Sequence, residues 1–276
     1  MDNLDKIFIK ARDEKREIRE AVNAHLALPE KASEGNFEKD LSQKLGSFLV
    51  DQGYINKIDM WKGSWGCKYD EEEKAVYLNE LPMPKREYEY YIVRLGKNSA
   101  NGQNLFPTNG DETDQYRFLH ETSHAYQQLL MDNEAPDNPG QWYDRVLSDD
   151  EQQIDSNLGL LFQYCYQKRK ENPQKGLSTW GNVPDYNSVQ GESSQNATRA
   201  IEDANELVTM YLWNPEYLST FLEYVSVNIT GYDETNLAED KLIKISNTEK
   251  ESLKDLIRGY IAEMKKNIDR GIISAP

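Results

Sequence analysis

Residues Asp111 to Met131 read DETDQYRFLHETSHAYQQLLM, and their spacing predicts one long helix with two unlike faces. The carboxyl-rich start, Asp111 to Asp114, follows Asn109-Gly110 and suits a helix amino terminus, because carboxylates complement the positive end of the helix dipole. Taking His120 as the origin and stepping about 100° per residue, His124 falls at about 40°, Arg117 at about 60°, Gln128 at about 80° and Glu121 at about 100°. Phe118, Leu119, Tyr126, Leu129 and Leu130 fall on the opposite arc. The helix therefore has an apolar back for a core and a polar face for a cleft.

Outward from this helix, the chain alternates helical and extended signals. Leu4 to Leu26 carries Leu4, Ile7, Phe8 and Ala11 at helical spacing and then a charged stretch, which predicts a long, partly exposed helix. A second helix fits Phe37 to Asp51 and stops at Gly53. Between Ser64 and Asn79 the period shortens: Trp65, Cys67 and Tyr69 alternate, Asp70 to Glu73 makes a turn, and Ala75 to Leu78 continues as a second strand, so a hairpin is expected. Tyr88 to Leu95 fits either a strand or a helical face, with its β-branched and aromatic density favouring a strand. Further helices are expected over Ser148 to Arg169, Ala197 to Trp213, Pro215 to Val225 and Thr248 to Asn267, with a long polar connection from Asn172 to Asn196. Helices, then a short sheet, then helices make an α+β fold, mostly helical. A division into an amino-terminal part, 1–133, with the sheet and the motif helix, and a helical carboxy-terminal part, 134–276, follows from that order.

Composition narrows the function classes. The chain has 276 residues with 32 Lys and Arg against 48 Asp and Glu, a formal net charge of −16. Such a surplus repels phosphate backbones and anionic lipid, so nucleic acid is not an expected partner. No apolar stretch approaches the roughly 18 residues of a membrane span. The first sixteen residues are charged and helical in character rather than a signal peptide, which makes the cytoplasm the default expectation and leaves the compartment open. Seventeen Tyr and five Trp supplement a lean aliphatic core. Cys67 and Cys165 are too few and too far apart for a disulfide framework or a cysteine zinc site, and read as two buried thiols.

Only three histidines occur in the chain, and two of them stand one turn apart in His120-Glu121-Thr122-Ser123-His124. Histidines at i and i+4 project from one helix face, so their imidazoles can converge on a single Zn²⁺ with the intervening Glu121 beside an open coordination position. A catalytic zinc normally has three protein ligands. No histidine follows His124, and Gln127 and Leu130 stand where a Gly and a third His would continue one version of the motif. A carboxylate must close the site, and Ile201-Glu202-Asp203-Ala204-Asn205-Glu206-Leu207 offers it. Glu202 and Glu206 share one polar face of a helix whose back is Ala200, Ile201, Ala204, Leu207, Val208, Tyr211 and Leu212. Two carboxylates one turn apart repel, and a cation would relieve them. Glu202 is read as the third ligand, and Glu206 as the acceptor for the ring N–H of a ligand histidine.

With these residues the chain resembles an HExxH zinc metallopeptidase of the gluzincin kind, in which a glutamate on a later helix is the third ligand. Glu202-Asp203-Ala204-Asn205-Glu206 is similar to the Glu-x-x-x-acidic pattern of that helix, and Trp213-Asn214-Pro215-Glu216 continues as such helices do in lethal-factor-like and related small zincins. The resemblance implies a short sheet and active-site helix above a helical subdomain, with a peptide or protein substrate bound between them. It implies hydrolysis of a peptide bond by a zinc-activated water, with Glu121 as general base and then acid. The anionic intermediate needs a second donor, for which Tyr186 in the long loop is the candidate and Arg199 the alternative. A catalytically inactive zinc-binding pseudo-peptidase acting as an interaction protein is the alternative function, and an acidic helical scaffold without zinc a third.

Overall fold

The computed structural model describes residues 3–27, 41–63, 67–80, 110–135, 142, 156–173, 175–177, 192–226 and 242–271. Seven helices and three short strands stand among them, an α+β arrangement that is mostly helical. In chain order these are α1 (Asn3–His25), α2 (Leu41–Gln52), β1 (Lys57–Trp61), β2 (Lys68–Asp70), β3 (Ala75–Asn79), α3 (Gly110–Glu134), α4 (Asn157–Glu171), α5 (Glu192–Trp213), α6 (Pro215–Ser226) and α7 (Asn247–Arg270).

The ends of these helices follow from local chemistry. Gly53 closes α2 in the left-handed region at φ +77°, while the Tyr54 N–H donates to the Leu49 carbonyl at 2.8 Å. Ser156 caps α4 by accepting the Gly159 N–H, so that helix begins at Asn157, and residues 148–155 of the expected helix lie outside the described residues. A capping box of Ser246 and Glu249 starts α7, and Gly271 at φ +62° ends it. Helix α5 starts at Glu192, five residues before the expected Ala197, and takes the end of the predicted polar connection into its first turn.

The sheet has the strand order β1-β3-β2. Strands β2 and β3 form the expected hairpin, antiparallel with Tyr69 opposite Val76. Strand β1, for which the sequence gives no expectation, lies parallel to β3 with Asp59 opposite Tyr77. It is an edge strand that is mostly exposed, so its residues carry little of the apolar alternation by which strands are found. The expected extended segment at Tyr88 to Leu95 lies outside the described residues, as do Phe37 to Asp40 of the predicted second helix.

One contiguous core joins the helices and the inner face of the sheet, from Val22 of α1 and Leu26 just beyond it to Ile257, Tyr260 and Met264 of α7. Helix α3 lies within it. Its apolar back is buried as the periodicity predicts, through Phe118, Leu119, Tyr126, Leu129 and Leu130. The polar face is buried too, with Arg117, Gln127 and Gln128 all enclosed. Burying such a face is tolerable only where its groups find partners, and Gln127 meets His124 while Gln128 donates to Asp132, both along α3 itself. Of the two cysteines, Cys165 is buried and Cys67 half-buried, and both are free thiols.

Candidate metal centre

Helix α3 supplies His120, Glu121 and His124, and α5 packs beside it to supply Glu202 and Glu206. The ring atom Nδ1 of His120 lies 2.9 Å from Glu206 Oε2. An ionised carboxylate only accepts, so Nδ1 carries a proton and Nε2 is the atom that offers a lone pair once its own proton is displaced. His124 is set in the same way by Gln127, whose Oε1 lies 3.0 Å from Nδ1. Both Nε2 atoms then face Glu202 Oε2, each at 3.3 Å, and stand 3.2 Å from one another.

Three electron-pair donors thus face a common point from the corners of a nearly equilateral triangle. Bonds of about 2.0–2.1 Å in a tetrahedral zinc site put its ligand atoms about 3.3 Å apart, which is the spacing found here. His120, His124 and Glu202 form a group that can hold a metal ion. The rings meet edge to face, with centroids 4.8 Å apart and an interplanar angle of 82°.

The electrostatics of the cluster express the same demand for positive charge. Burial works against a protonated His120, yet its hydrogen bonds to Glu202 and Glu206 overcome this and push its pKa up to about 10. His124 is likewise raised by the charge and hydrogen bond of Glu202 against the effect of burial. Burial would raise Glu202, but the two imidazoles outweigh it and hold the carboxyl well below the usual range. Either a proton or a metal ion supplies the charge that this point requires.

Every polar side chain from Glu202 to Glu206 is engaged. Asp203 faces the other side of α5 and makes a fully buried ion pair with Arg169 of α4, Nε to Oδ2 at 2.7 Å, while also accepting the Leu177 N–H. Asn205 donates from Nδ2 to the His120 carbonyl at 2.9 Å, tying the two helices together behind His120. Glu206, 1% exposed, accepts the Tyr116 hydroxyl at Oε1 over 2.7 Å and so holds His120 with its other oxygen. Tyr116 is itself wedged edge-on against Trp213 and Tyr217.

Glu121 is half-buried beside the ligands, and its Oε2 accepts the backbone N–H of Tyr69 in β2 at 2.6 Å. Burial raises its pKa, opposed by the neighbouring imidazoles. The expected set His120, Glu121, His124, Glu202 and Glu206 is therefore brought together. Tyr186 lies outside the described residues. Arg199 reaches the Pro173 carbonyl at 3.4 Å and shares the Asp203 side of α5 with Arg169. The third histidine, His25, stacks on Phe118 with centroids 4.8 Å apart.

Sequence reasoning missed Tyr116, Gln127 and Asn205. The first two were within its reach: the same helical step puts Tyr116 about 40° and Gln127 about 20° from His120, on the ligand face. Asn205 gave no such signal, since its partner is a backbone carbonyl. No family model, curated protein or solved structure matches the chain.

Proposed function

We propose that this chain is a zinc-dependent peptidase. The observation that supports it is the triangle of His120 Nε2, His124 Nε2 and Glu202 Oε2, with sides of 3.2–3.3 Å, beside the carboxylate of Glu121. These three residues would hold the zinc ion, which supplies a bound water of lowered pKa and a Lewis acid for the scissile carbonyl. Glu206 and Gln127 orient the two imidazoles through their Nδ1–H groups, and Tyr116 orients Glu206. Glu121 takes the proton of the attacking water and delivers it to the leaving amine nitrogen. Its raised pKa moves it toward the operating pH that a group acting as base and then acid needs.

Zinc titration of the chelator-stripped chain tests the reading, followed by cleavage of a peptide library with and without chelator. One equivalent of zinc is expected, with Glu121→Ala retaining zinc and losing cleavage. A chain that takes up no stoichiometric zinc, or whose cleavage survives Glu121→Ala, overturns the proposal.

A further inference from the structure

We propose that the backbone amide of Tyr69 positions the general base, so that strand β2 is part of the catalytic apparatus of this chain. The inference rests on the peptidase reading, in which Glu121 handles the water proton. In the strand order β1-β3-β2, strand β2 has one edge on β3 and the other turned to helix α3. Tyr69 stands opposite Val76, yet its N–H points away from β3 and donates to Glu121 Oε2 at 2.6 Å. A short bond from an N–H to an ionised carboxylate belongs to the strong class of hydrogen bonds. It fixes one oxygen of Glu121 and leaves the other, Oε1, for the water proton. A carboxylate held by one oxygen loses the rotation that would otherwise spread Oε1 over several positions, and positioning of this kind is a large part of catalytic rate.

The amide is itself held in place. The Tyr69 hydroxyl donates to the Tyr54 carbonyl at 3.0 Å, and the Tyr54 hydroxyl donates to Asp132 Oδ2 at 2.7 Å. Lys74, in the turn that leads into β3, reaches the same carboxylate oxygen at 3.2 Å. Asp132 follows Glu121 on α3 by about three helical turns. The sheet is thus pinned to the motif helix at two separated points, and a rigid frame sets the distance between the Tyr69 N–H and Glu121.

Amide hydrogen exchange on the ¹⁵N-labelled full chain tests this directly. The Tyr69 amide is expected to be protected in the native sequence and in Glu121→Gln, whose side-chain carbonyl still accepts. Glu121→Ala should speed its exchange by about tenfold or more while amides of α5 keep their rates. Tyr69→Phe, which keeps the N–H, should retain the protection. Tyr69→Pro deletes the donor at an edge position where proline is tolerated, and kcat should fall about tenfold or more with KM and zinc stoichiometry unchanged. An amide that is unprotected in the native sequence, or that Glu121→Ala leaves unmoved, overturns the inference. The exchange comparison needs neither turnover nor metal, so it remains decisive if Tyr69→Pro does not fold. A chain that fails to take up zinc defeats the peptidase reading by a separate measurement.

Discussion

Glu202 Oε2 stands 3.3 Å from both imidazole Nε2 atoms, and neither imidazole can turn away, because Glu206 and Gln127 hold the opposite ring nitrogens. The quality of the proposed metal site therefore depends on residues outside the His120, His124 and Glu202 triangle. Tyr116→Phe removes the hydroxyl that occupies Glu206 Oε1 and changes no buried volume to speak of. It should weaken zinc binding by about 10–100-fold with an unaltered circular dichroism spectrum, read by competition against a chromophoric chelator. The same cluster sets a pH dependence. His120 has a folded-state pKa raised from 6.5 to about 10, so the stability it contributes in the metal-free chain is complete below pH 6.5. That contribution is lost as the pH rises through about 10. The melting temperature of the chelator-stripped chain should accordingly fall between pH 6.5 and 10, whereas the zinc-loaded chain, whose Nε2 atoms carry no proton, should show little slope.

Two contacts between elements decide whether the site residues meet. Helix α2 lies so close to α1 that a Cβ on Gly46 would stand 2.4 Å from Val22 Cγ1 and 2.6 Å from Leu26 Cδ1. Gly46→Ala should cost about 1–3 kcal/mol in urea unfolding, because the gain in helix propensity is smaller than the overpacking it creates. Helix α5 is fixed in rotation by Asp203, whose buried pair with Arg169 faces α4 while Glu202 and Glu206 face α3. Asp203→Ala would remove the buried carboxylate that pairs with Arg169 and should destabilise by about 3–5 kcal/mol, while Arg169→Met combined with Asp203→Leu should recover most of that loss. The helices were legible in the sequence because each carries an apolar stripe at a 3.6-residue period, and Gly53 and Pro215 mark ends that have strong local causes, whereas the last helix runs three residues past the expected Asn267 to its cap at Gly271. Strand β1 was not, because pairing with β3 rather than burial makes it a strand. The Asp203–Arg169 pair was illegible for a related reason: 34 residues separate partners that resemble any other charges until a fold encloses them.

At the scale of the whole molecule, the candidate site joins two helices whose ligands lie 78 to 82 residues apart in sequence. The motif on α3 was legible because both histidines and the glutamate sit within one helical turn, and Glu202 because it shares a polar face with Glu206 on a helix whose back is apolar. What surrounds them was less so, since Tyr69 acts through a backbone N–H that no side-chain pattern encodes. A ligand that bridges α3 and α5 binds only the folded chain, because the unfolded chain has no means of holding His120, His124 and Glu202 at 3.2–3.3 Å. Zinc should therefore stabilise the fold by mass action, by about 2.7 kcal/mol when free zinc stands at 100 times its dissociation constant. Thermal unfolding in zinc-buffered solutions measures this: the melting temperature should climb with the logarithm of free zinc once the site fills. Glu202→Gln should lose the climb, since an amide oxygen carries no charge to offset the ion. Tyr69→Phe should keep it, because its hydroxyl pins the strand beside Glu121 and touches none of the three ligands. If zinc raises the melting temperature of Glu202→Gln as much as that of the native chain, the stabilising ion sits elsewhere and the bridge between α3 and α5 is not its site.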